Sequence, residues 1–301
     1  MLYPFCRSPR AGGAVDAEAA RRRLERLHPD GSHSCRMENK LVRPFEYDLQ
    51  IVIPAYNAER YIAECMDSVL GQKTGFRVWV TVVNDGSTDR TSDILRPYAR
   101  KEGVKVIEQE NRGHSGARNA GLAVIRARYV MFVDADDKLP EYAVEALMRE
   151  AEDTGADIVE GGYSRFSDGG ATSTFRHKRA VTEDWGVLYG FPWGKVYKSD
   201  LFARVGFPLG CQFEDTVCIY MLYPQCKAVA TADEVGYLYC RNEQGATCAL
   251  RGDVRTLDAL WVTLRVLQDS REAGIPPTQR MYEAFLLDLR VNYTRLLTLR
   301  D

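Results

Sequence analysis

The sequence predicts an α/β protein, with a mostly parallel sheet flanked by helices on both faces and a helical C-terminal region after it. Three observations carry that reading. Short apolar or β-branched runs alternate with segments whose apolar residues recur near every 3.6 positions, as in β-α-β units. Clusters of Asn, Asp and Gly stand where those runs end, which is where open parallel sheets bind ligands. From about residue 254 the pattern is helical alone.

The elements follow in order. Residues 1–46 read as an extension, partly disordered, with "AVDAEAARRRLERL" as a short charged helix. The main domain is expected over 47–245, divided near 140, and a helical region over 246–301. "QIVIPAY" is a short strand ended by Pro54. "AERYIAECMDSVLGQ" has helical spacing, and "RVWVTVVND" is a buried strand. "STDRTSDILRPYARKEG" reads as one helix, opened by capping residues and closed on Gly103. "VKVIEQE" is a strand, "SGARNAGLAVIRA" a helix and "RYVMFVDADD" a strand. "PEYAVEALMREAEDTGA" is a helix after Pro140 and "DIVEGGYSRF" a strand, and residues 168–180 form a loop or hairpin. Two more helices are expected on either side of Pro276-Pro277.

Composition removes several classes. With 40 Lys and Arg against 42 Asp and Glu, the formal net charge is −2. A nucleic-acid binder would carry a basic excess or stripe. No apolar run reaches the roughly 20 residues that span a bilayer, so a soluble, cytoplasmic protein is expected. The 8 cysteines form no C-x-x-C pair and several lie inside apolar runs. They are expected as reduced, packing thiols.

Three polar clusters carry chemistry. In "FVDADDKL", Asp134 and Asp136 stand two apart at a strand exit. In extended backbone they share one side, with Ala135 and Asp137 on the other. Two carboxylates held together suit a hard divalent cation such as Mg²⁺ or Mn²⁺, which takes one or two carboxylates, waters and phosphate oxygens. The plainer reading is a solvated turn with Asp137 capping the next helix. In "NDGSTD", Asp85 ends a strand and Gly86 permits a tight turn. Asp85 is read either as an acceptor for a base or ribose or as part of a turn capped by Ser87 or Thr88. In "ENRGHSGARNAGL", Gly113, Gly116 and Gly121 relieve crowding, and Arg118 can bond a phosphate or carboxylate.

Taken together, "IVIPAYN", "VVNDGSTD", "NRGHSGARNAGL" and "YVMFVDADDKLP" resemble the inverting glycosyltransferases of family 2, which have a GT-A fold, especially bacterial enzymes that build surface polysaccharides. The resemblance extends to "PWGKVYKSDLF", "GFPLGCQFED" and "YLYCRN" and covers about residues 48–245. It implies a sheet of Rossmann-like, mostly parallel type. It also implies that Pro54, Ala55, Tyr56 and Asn57 line the nucleotide, that Asp85 contacts the base, and that Gly113 and Arg118 lie near the diphosphate or donor sugar. By the same resemblance Asp134, Ala135 and Asp136 are expected to form the D-x-D donor site, with Asp134 and Asp136 as metal ligands. The resemblance further implies that Asp215, beside Glu214, is the general base and that Trp193 and Lys195 flank the acceptor side. Three stretches depart from the family pattern, one of them "LGQKTGFR", which is longer than the usual helix-to-strand join. Asn84 stands where an aspartate is common, and "NEQGATC" replaces a Ser-Ile-Thr-like run.

The function expected is metal-assisted transfer of a sugar from a nucleotide diphosphate donor, a UDP-sugar, to a hydroxyl of a glycan or lipid-linked acceptor. The plainer readings are kept beside it: Glu214 and Asp215 as an exposed helix start, Trp193 as core, Lys195 as a surface charge. A non-catalytic nucleotide-sugar binding module is the alternative. A sugar nucleotidyltransferase fits less well, because "IPAYNAERYIAE" lacks a glycine-rich loop with Arg and Lys. Met281, Tyr282, Phe285, Leu286, Leu289, Tyr293, Leu296 and Leu297, with Arg280, Arg290, Arg295 and Arg300, give the last helix an amphipathic stripe. That stripe suits packing on the domain or on a partner, or peripheral contact with the inner face of the plasma membrane.

Overall fold

The computed structural model describes residues 34–167, 170–240 and 258–298. The predicted helix "AVDAEAARRRLERL" and the "NEQGATC" stretch lie outside these residues. In chain order the first elements are β1 (Lys40–Leu41), β2 (Tyr47–Ala55), α1 (Ile62–Leu70), β3 (Val78–Asp85) and α2 (Thr91–Leu95). Then come β4 (Val104–Gln109), α3 (Gly113–Leu122), β5 (Val124–Ile125), β6 (Ala127–Phe132) and α4 (Ala143–Thr154). The strands β7 (Ile158–Ser167), β8 (Gly170–Phe175), β9 (Ala180–Thr182), β10 (Lys195–Lys198) and β11 (Val229–Cys240) follow, and α5 (Asp258–Glu272) and α6 (Gln279–Thr298) close the series.

The main sheet runs β4-β3-β2-β6-β10-β7-β11-β9, with β8 paired to β7 outside that path. The first four strands are parallel. β10 is antiparallel to both β6 and β7, so the sheet is mixed at its centre. Side chains alternate across it as strand geometry requires. Leu49, Ile51 and Ile53 of β2 join one core with α1, α2 and α4. Val52 joins the other with Leu122, Phe132, Phe202 and the inner side of α5. α3 lies so close to β2 that a Cβ at Gly121 would stand 2.3 Å from Val52 Cγ1. The buried Gln50 ties the same contact, donating to Gly121 O at 2.9 Å and accepting from Arg126 N at 3.0 Å.

Several boundaries differ from expectation. β2 runs through Pro54 to Ala55. Its pairing with β6 ends at Val52↔Phe132, so Pro54 has a hydrogen-bonded strand on one side only and its missing N–H is tolerated. The long helix expected over residues 87–103 is the short α2 plus one 3₁₀ turn over Tyr98–Arg100. Pro97 lies between them and cannot continue an α-helix. The helix expected through residue 127 stops at Leu122, and β-branched Val124 and Ile125 pair with β1 instead. The strand expected through Asp137 stops at Phe132, and within the stretch read as a loop or hairpin Gly170–Phe175 pairs antiparallel with β7 as β8.

Residues 34–46 are tied to the domain. Asp269 Oδ2, fully buried in α5, accepts from Ser34 Oγ at 2.9 Å and Cys35 N at 2.7 Å. Among the described residues the six cysteines are free thiols, and no helix is long and apolar enough to cross a membrane.

Candidate functional site

The polar clusters meet at the carboxyl ends of the parallel strands. The loop after β2 and the "STD" turn after β3 are fastened together. Asn57, in left-handed backbone at φ 47°, accepts from Thr88 N at 2.8 Å and donates its own N–H to Ser87 Oγ at 3.0 Å. Ala58 N donates to Thr91 Oγ1 at 2.8 Å and Glu59 N to Asp89 Oδ2 at 3.0 Å. Burial would raise the Asp89 carboxyl, but hydrogen bonds from Thr91 and Glu59 outweigh it and hold it below the usual range. These residues are therefore fasteners. They leave Pro54 and Ala55 buried as a shelf and the Tyr56 ring half exposed above it.

Asp85 ends β3 and is 2% exposed. Its Oδ1 accepts from Gln109 Nε2 at 2.5 Å and Arg112 N at 2.9 Å, so the scaffold fixes its orientation. Gly86 has φ 72°, and a Cβ there would stand 2.7 Å from Asn111 N. Only glycine combines that backbone with that approach. Asn84 donates to Glu108 Oε2 at 2.6 Å.

The acidic cluster is a turn, closed by Asp137 N donating to Asp134 O at 3.0 Å. The alternation expected of an extended segment does not apply here, and the three aspartates separate differently. Asp137 is 1% exposed. Its oxygens accept from Tyr237 hydroxyl and Cys240 N, both at 2.7 Å. It therefore does not cap α4 but joins the turn to β11. Burial pushes its carboxyl up, and Asp134 and Asp136 add to the effect. Tyr237 hydroxyl also accepts from Asp134 N at 3.0 Å. Asp134 and Asp136 stay partly exposed at the cleft. Among the described residues no group of three or more His, Cys, Asp or Glu could cage a metal. Two carboxylates in one turn still fit Mg²⁺ or Mn²⁺, which complete their shells with water and phosphate.

Arg118 joins this turn to the second acidic pair. Its side chain is 4% exposed, with Nη2 at 2.8 Å from Asp134 Oδ1 and Nη1 at 2.5 Å from Glu214 Oε1. The guanidinium also lies over the Phe207 ring, 5.3 Å from its centroid. Burial disfavours the charge, but the two carboxylates outweigh it and hold Arg118 firmly protonated. The Glu214 carboxyl, which burial would raise, is pulled below the usual range by Arg118 and then by His114. Its neighbour Asp215 goes the other way. Burial and the Glu214 charge push Asp215 up to about 7, against the pull of Arg118. The two adjacent acids are thus pushed in opposite directions, as paired acid and base sites require. The pair does stand at a helix start, with Val217 N and Cys218 N donating to Glu214 O and Asp215 O, but it is partly buried rather than exposed. Phe213 precedes it in left-handed backbone at φ 65°, and a π-helical turn, Cys218–Leu222, follows. Both features recur at functional sites.

Sequence reasoning missed the next residue, Asn119. Its Nδ2 donates to Phe207 O at 2.8 Å and its Oδ1 accepts from Phe207 N at 2.7 Å. One turn of α3 thereby holds both ends of the loop that carries Glu214. The only signal was position, directly after Arg118 in "ARNAGL". Between Arg112–Ser115 and Gly210–Gln212 the two segments leave a cleft of about 210 Å³, so Gly113, at φ 74°, lines open space.

Trp193 stacks on Tyr237 at 4.6 Å, Phe191 at 5.0 Å and Tyr239 at 5.5 Å. It is partly exposed, so it serves both packing and surface. Lys195 departs from both expectations made for it. It is 1% exposed, with Nζ at 2.7 Å from Phe191 O and 3.2 Å from Glu160 Oε2. Its charge neutralises buried Glu160 and anchors the backbone beneath Trp193, so it offers no cation to an acceptor. Cys211 and Cys218 are pushed up by burial, Cys218 to about 12, and are inert at neutral pH.

The family model described as Glycosyl transferase family 2 matches residues 50–211. Glycosyltransferase GlyA of Streptococcus pneumoniae serotype 4 is 31% identical over 210 residues, 64% of this chain and 30% of that protein. The uncharacterized glycosyltransferase EpsJ of Bacillus subtilis is 32% identical over 221 residues, 66% of this chain and 62% of that protein. The chain thus spans about a third to under two thirds of these relatives' lengths. Among solved structures, S. aureus TarS 1–349 in complex with UDP-GlcNAc has a TM-score of 0.63 at 21% identity, covering 80% of this chain and 72% of that one. That likeness concerns the fold.

Proposed function

The chain belongs to glycosyl transferase family 2, and from that premise we propose that it is an inverting, metal-assisted glycosyltransferase of surface-polysaccharide synthesis. It uses a UDP-sugar and a hydroxyl of a glycan or lipid-linked acceptor. One observation carries the reading: a single buried guanidinium, Arg118, spans Asp134 of the D-x-D turn and Glu214 beside Asp215. The donor-side carboxylates and the candidate base are thereby held around one point.

In this reading Pro54, Ala55, Tyr56, Asn57 and the fixed Asp85 receive the nucleoside. Asp134 and Asp136 would hold Mg²⁺ or Mn²⁺, with Ala135 between them in the turn. When bound, the metal supplies Lewis-acid stabilisation of the leaving diphosphate. Asp215 takes the proton from the acceptor hydroxyl as that oxygen bonds to the anomeric carbon. The carbon–oxygen bond to the diphosphate breaks, its electron pair leaves with the UDP, and one direct displacement inverts the centre. Arg118 keeps Glu214 ionised, and the Glu214 charge keeps Asp215 basic enough for the task. Trp193, stacked on the exposed Phe191, lends an apolar aromatic flank to a sugar ring.

The donor assignment has a direct test. Thermal unfolding is measured with UDP, GDP, dTDP or ADP, each with and without Mn²⁺. UDP with Mn²⁺ at 100 times its dissociation constant should add about 2.7 kcal/mol, a rise of several degrees. A rise with GDP or dTDP alone would move the donor class. Silence with every nucleotide would sink the donor site.

A peripheral membrane contact is proposed for α6. Met281, Phe285 and Asn292 face inward, while Tyr282, Leu286, Leu289 and Tyr293 form an exposed stripe of the kind that lies in a membrane interface. Sedimentation with phosphatidylglycerol vesicles should pellet the chain, and Leu286→Glu with Leu289→Glu should release it. Equal pelleting of both forms, or none of either, rules the contact out.

A further inference from the structure

Both C-terminal helices reach the loop that carries Asp215. The loop is held from α3 by Arg118 on Glu214 and by Asn119 on Phe207. Two more contacts come from outside the parallel-sheet domain. Asp258, at the first described turn of α5 and 7% exposed, accepts from Gln212 N at 3.0 Å. Asp288 of α6 accepts from the Tyr220 hydroxyl at 2.7 Å. Tyr220 is fully buried and belongs to the π-helical turn Cys218–Leu222, whose first N–H, on Cys218, donates to Asp215 O at 2.9 Å. Asp215 thus stands between two anchored points, Gln212 before it and Tyr220 after it, each held by an acid of a different C-terminal helix.

This arrangement is not generic packing. An apolar contact between α6 and the π turn would bury side chains without a carboxylate, whereas here a partly buried acid is held against a buried phenol. Such charge-assisted bonds are short and directional, so they fix position as well as add stability. A π-helical turn is also a poor default, because it gives up the better hydrogen bonding of an α-helix. It keeps its register where outside contacts hold it.

We propose that Asp288, through Tyr220, and Asp258, through Gln212, are positioning residues that make the C-terminal helical pair part of the catalytic unit. The claim rests on the reading of Asp215 as the base. The titratable groups that interact with Asp215 are Glu214 and the thiol Cys211 on its own loop, the thiol Cys218 of the π turn, Arg118 from α3 and Asp288 from α6. Asp288 carries negative charge toward the carboxyl, so its removal should make Asp215 a weaker base as well as a looser one.

The test uses the full chain and three variants. Tyr220→Phe and Asp288→Ala remove the bond, while Asp288→Asn keeps an acceptor oxygen and removes the charge. Hydrogen exchange followed by mass spectrometry should show faster exchange over residues 210–222 in the first two, with residues 47–85 unchanged. Asp288→Asn should restore the protection. Turnover is read as UDP release from a UDP-sugar in Mn²⁺, with water as acceptor. It should fall about tenfold or more in the first two, as a shift of about an ångström in a reacting group does, with donor KM unchanged. In Asp288→Asn the acid limb of the pH–kcat profile should move to lower pH. Unchanged exchange over 210–222 in both bond-deleting variants overturns the proposal, and so does lost exchange protection spread over the whole chain. If Asp215→Asn itself retains turnover while exchange responds as expected, the clamp stands and the base reading is what fails.

Discussion

Replacing Asp215 by asparagine is expected to cut turnover by about 10²- to 10⁴-fold while UDP and Mn²⁺ still raise the unfolding temperature. Asparagine keeps the shape but cannot take a proton. Because Asp215 is pushed up to about 7 by burial and by Glu214, wild-type kcat should fall along a limb centred near that pH. The same shift makes a stability prediction. The unfolded aspartate loses its proton near 3.8 and the folded one near 7. Between those values the folded chain binds the extra proton. This group therefore adds stability at acid pH, and that contribution is lost as pH rises through about 7. Asp215→Asn removes the ionisation, so at pH 8 the variant should unfold at the same temperature or higher. A variant that keeps turnover removes Asp215 as base. One that loses both turnover and UDP binding points to damage of the cleft rather than of the chemistry. A non-catalytic binding module would show no turnover to lose in the wild type.

The second large effect is expected at Arg118. The side chain is buried and neutralises two carboxylates that come from distant parts of the chain. Removing one partner of a buried ionic group leaves the others uncompensated and costs about 3–5 kcal/mol. Arg118→Met should lose about that much in urea unfolding at pH 8. The loss should shrink as the pH falls, because Glu214 is held below the usual carboxylate range by Arg118 against burial and in the variant can be protonated to escape the cost. Arg118→Lys should be intermediate, since an ammonium cannot fork to two acids as a guanidinium does. UDP binding should weaken in both, because Asp134 loses its orienting bond. A change below about 1 kcal/mol would mean the network is solvated and does not organise the site.

The clusters that make up the candidate site were legible in the residues. Asp85, Arg118, Asp134, Asp136 and Asp215 were singled out by the clusters and the family likeness; in the structure Asp85 and the Asp134 turn follow parallel strands, and Arg118 joins Asp134 to Glu214. What each neighbour does was not legible. Of the "STD" residues, Ser87 and Thr88 read as caps and instead fasten two loops, while Asp89 does both, accepting from Thr91 N at the start of α2 and from Glu59 N. Lys195 read as a surface or acceptor-side charge and is a buried counter-ion. Nothing in "DADD" distinguishes Asp136, in the open turn, from Asp137, bonded to Tyr237. That bond joins residues 100 apart.

The sequence by itself determined the alternation of strands and helices, because period and β-branching are local properties. It also determined where the polar clusters fall, because parallel strands bring their carboxyl ends to one edge. Boundaries that depend on a missing partner escaped it: the stop at Leu122, the passage of β2 through Pro54 and the end of β6 at Phe132. Only the tertiary structure decided which acids are ionised together and which are held apart. Protonation is set by burial and by charges a few ångströms away, and here those charges come from α3, the 208–215 loop and α6. The link from Asp288 to Tyr220 is of the same kind. It spans 68 positions of chain, and only the packing of α6 on the π turn could bring the two together.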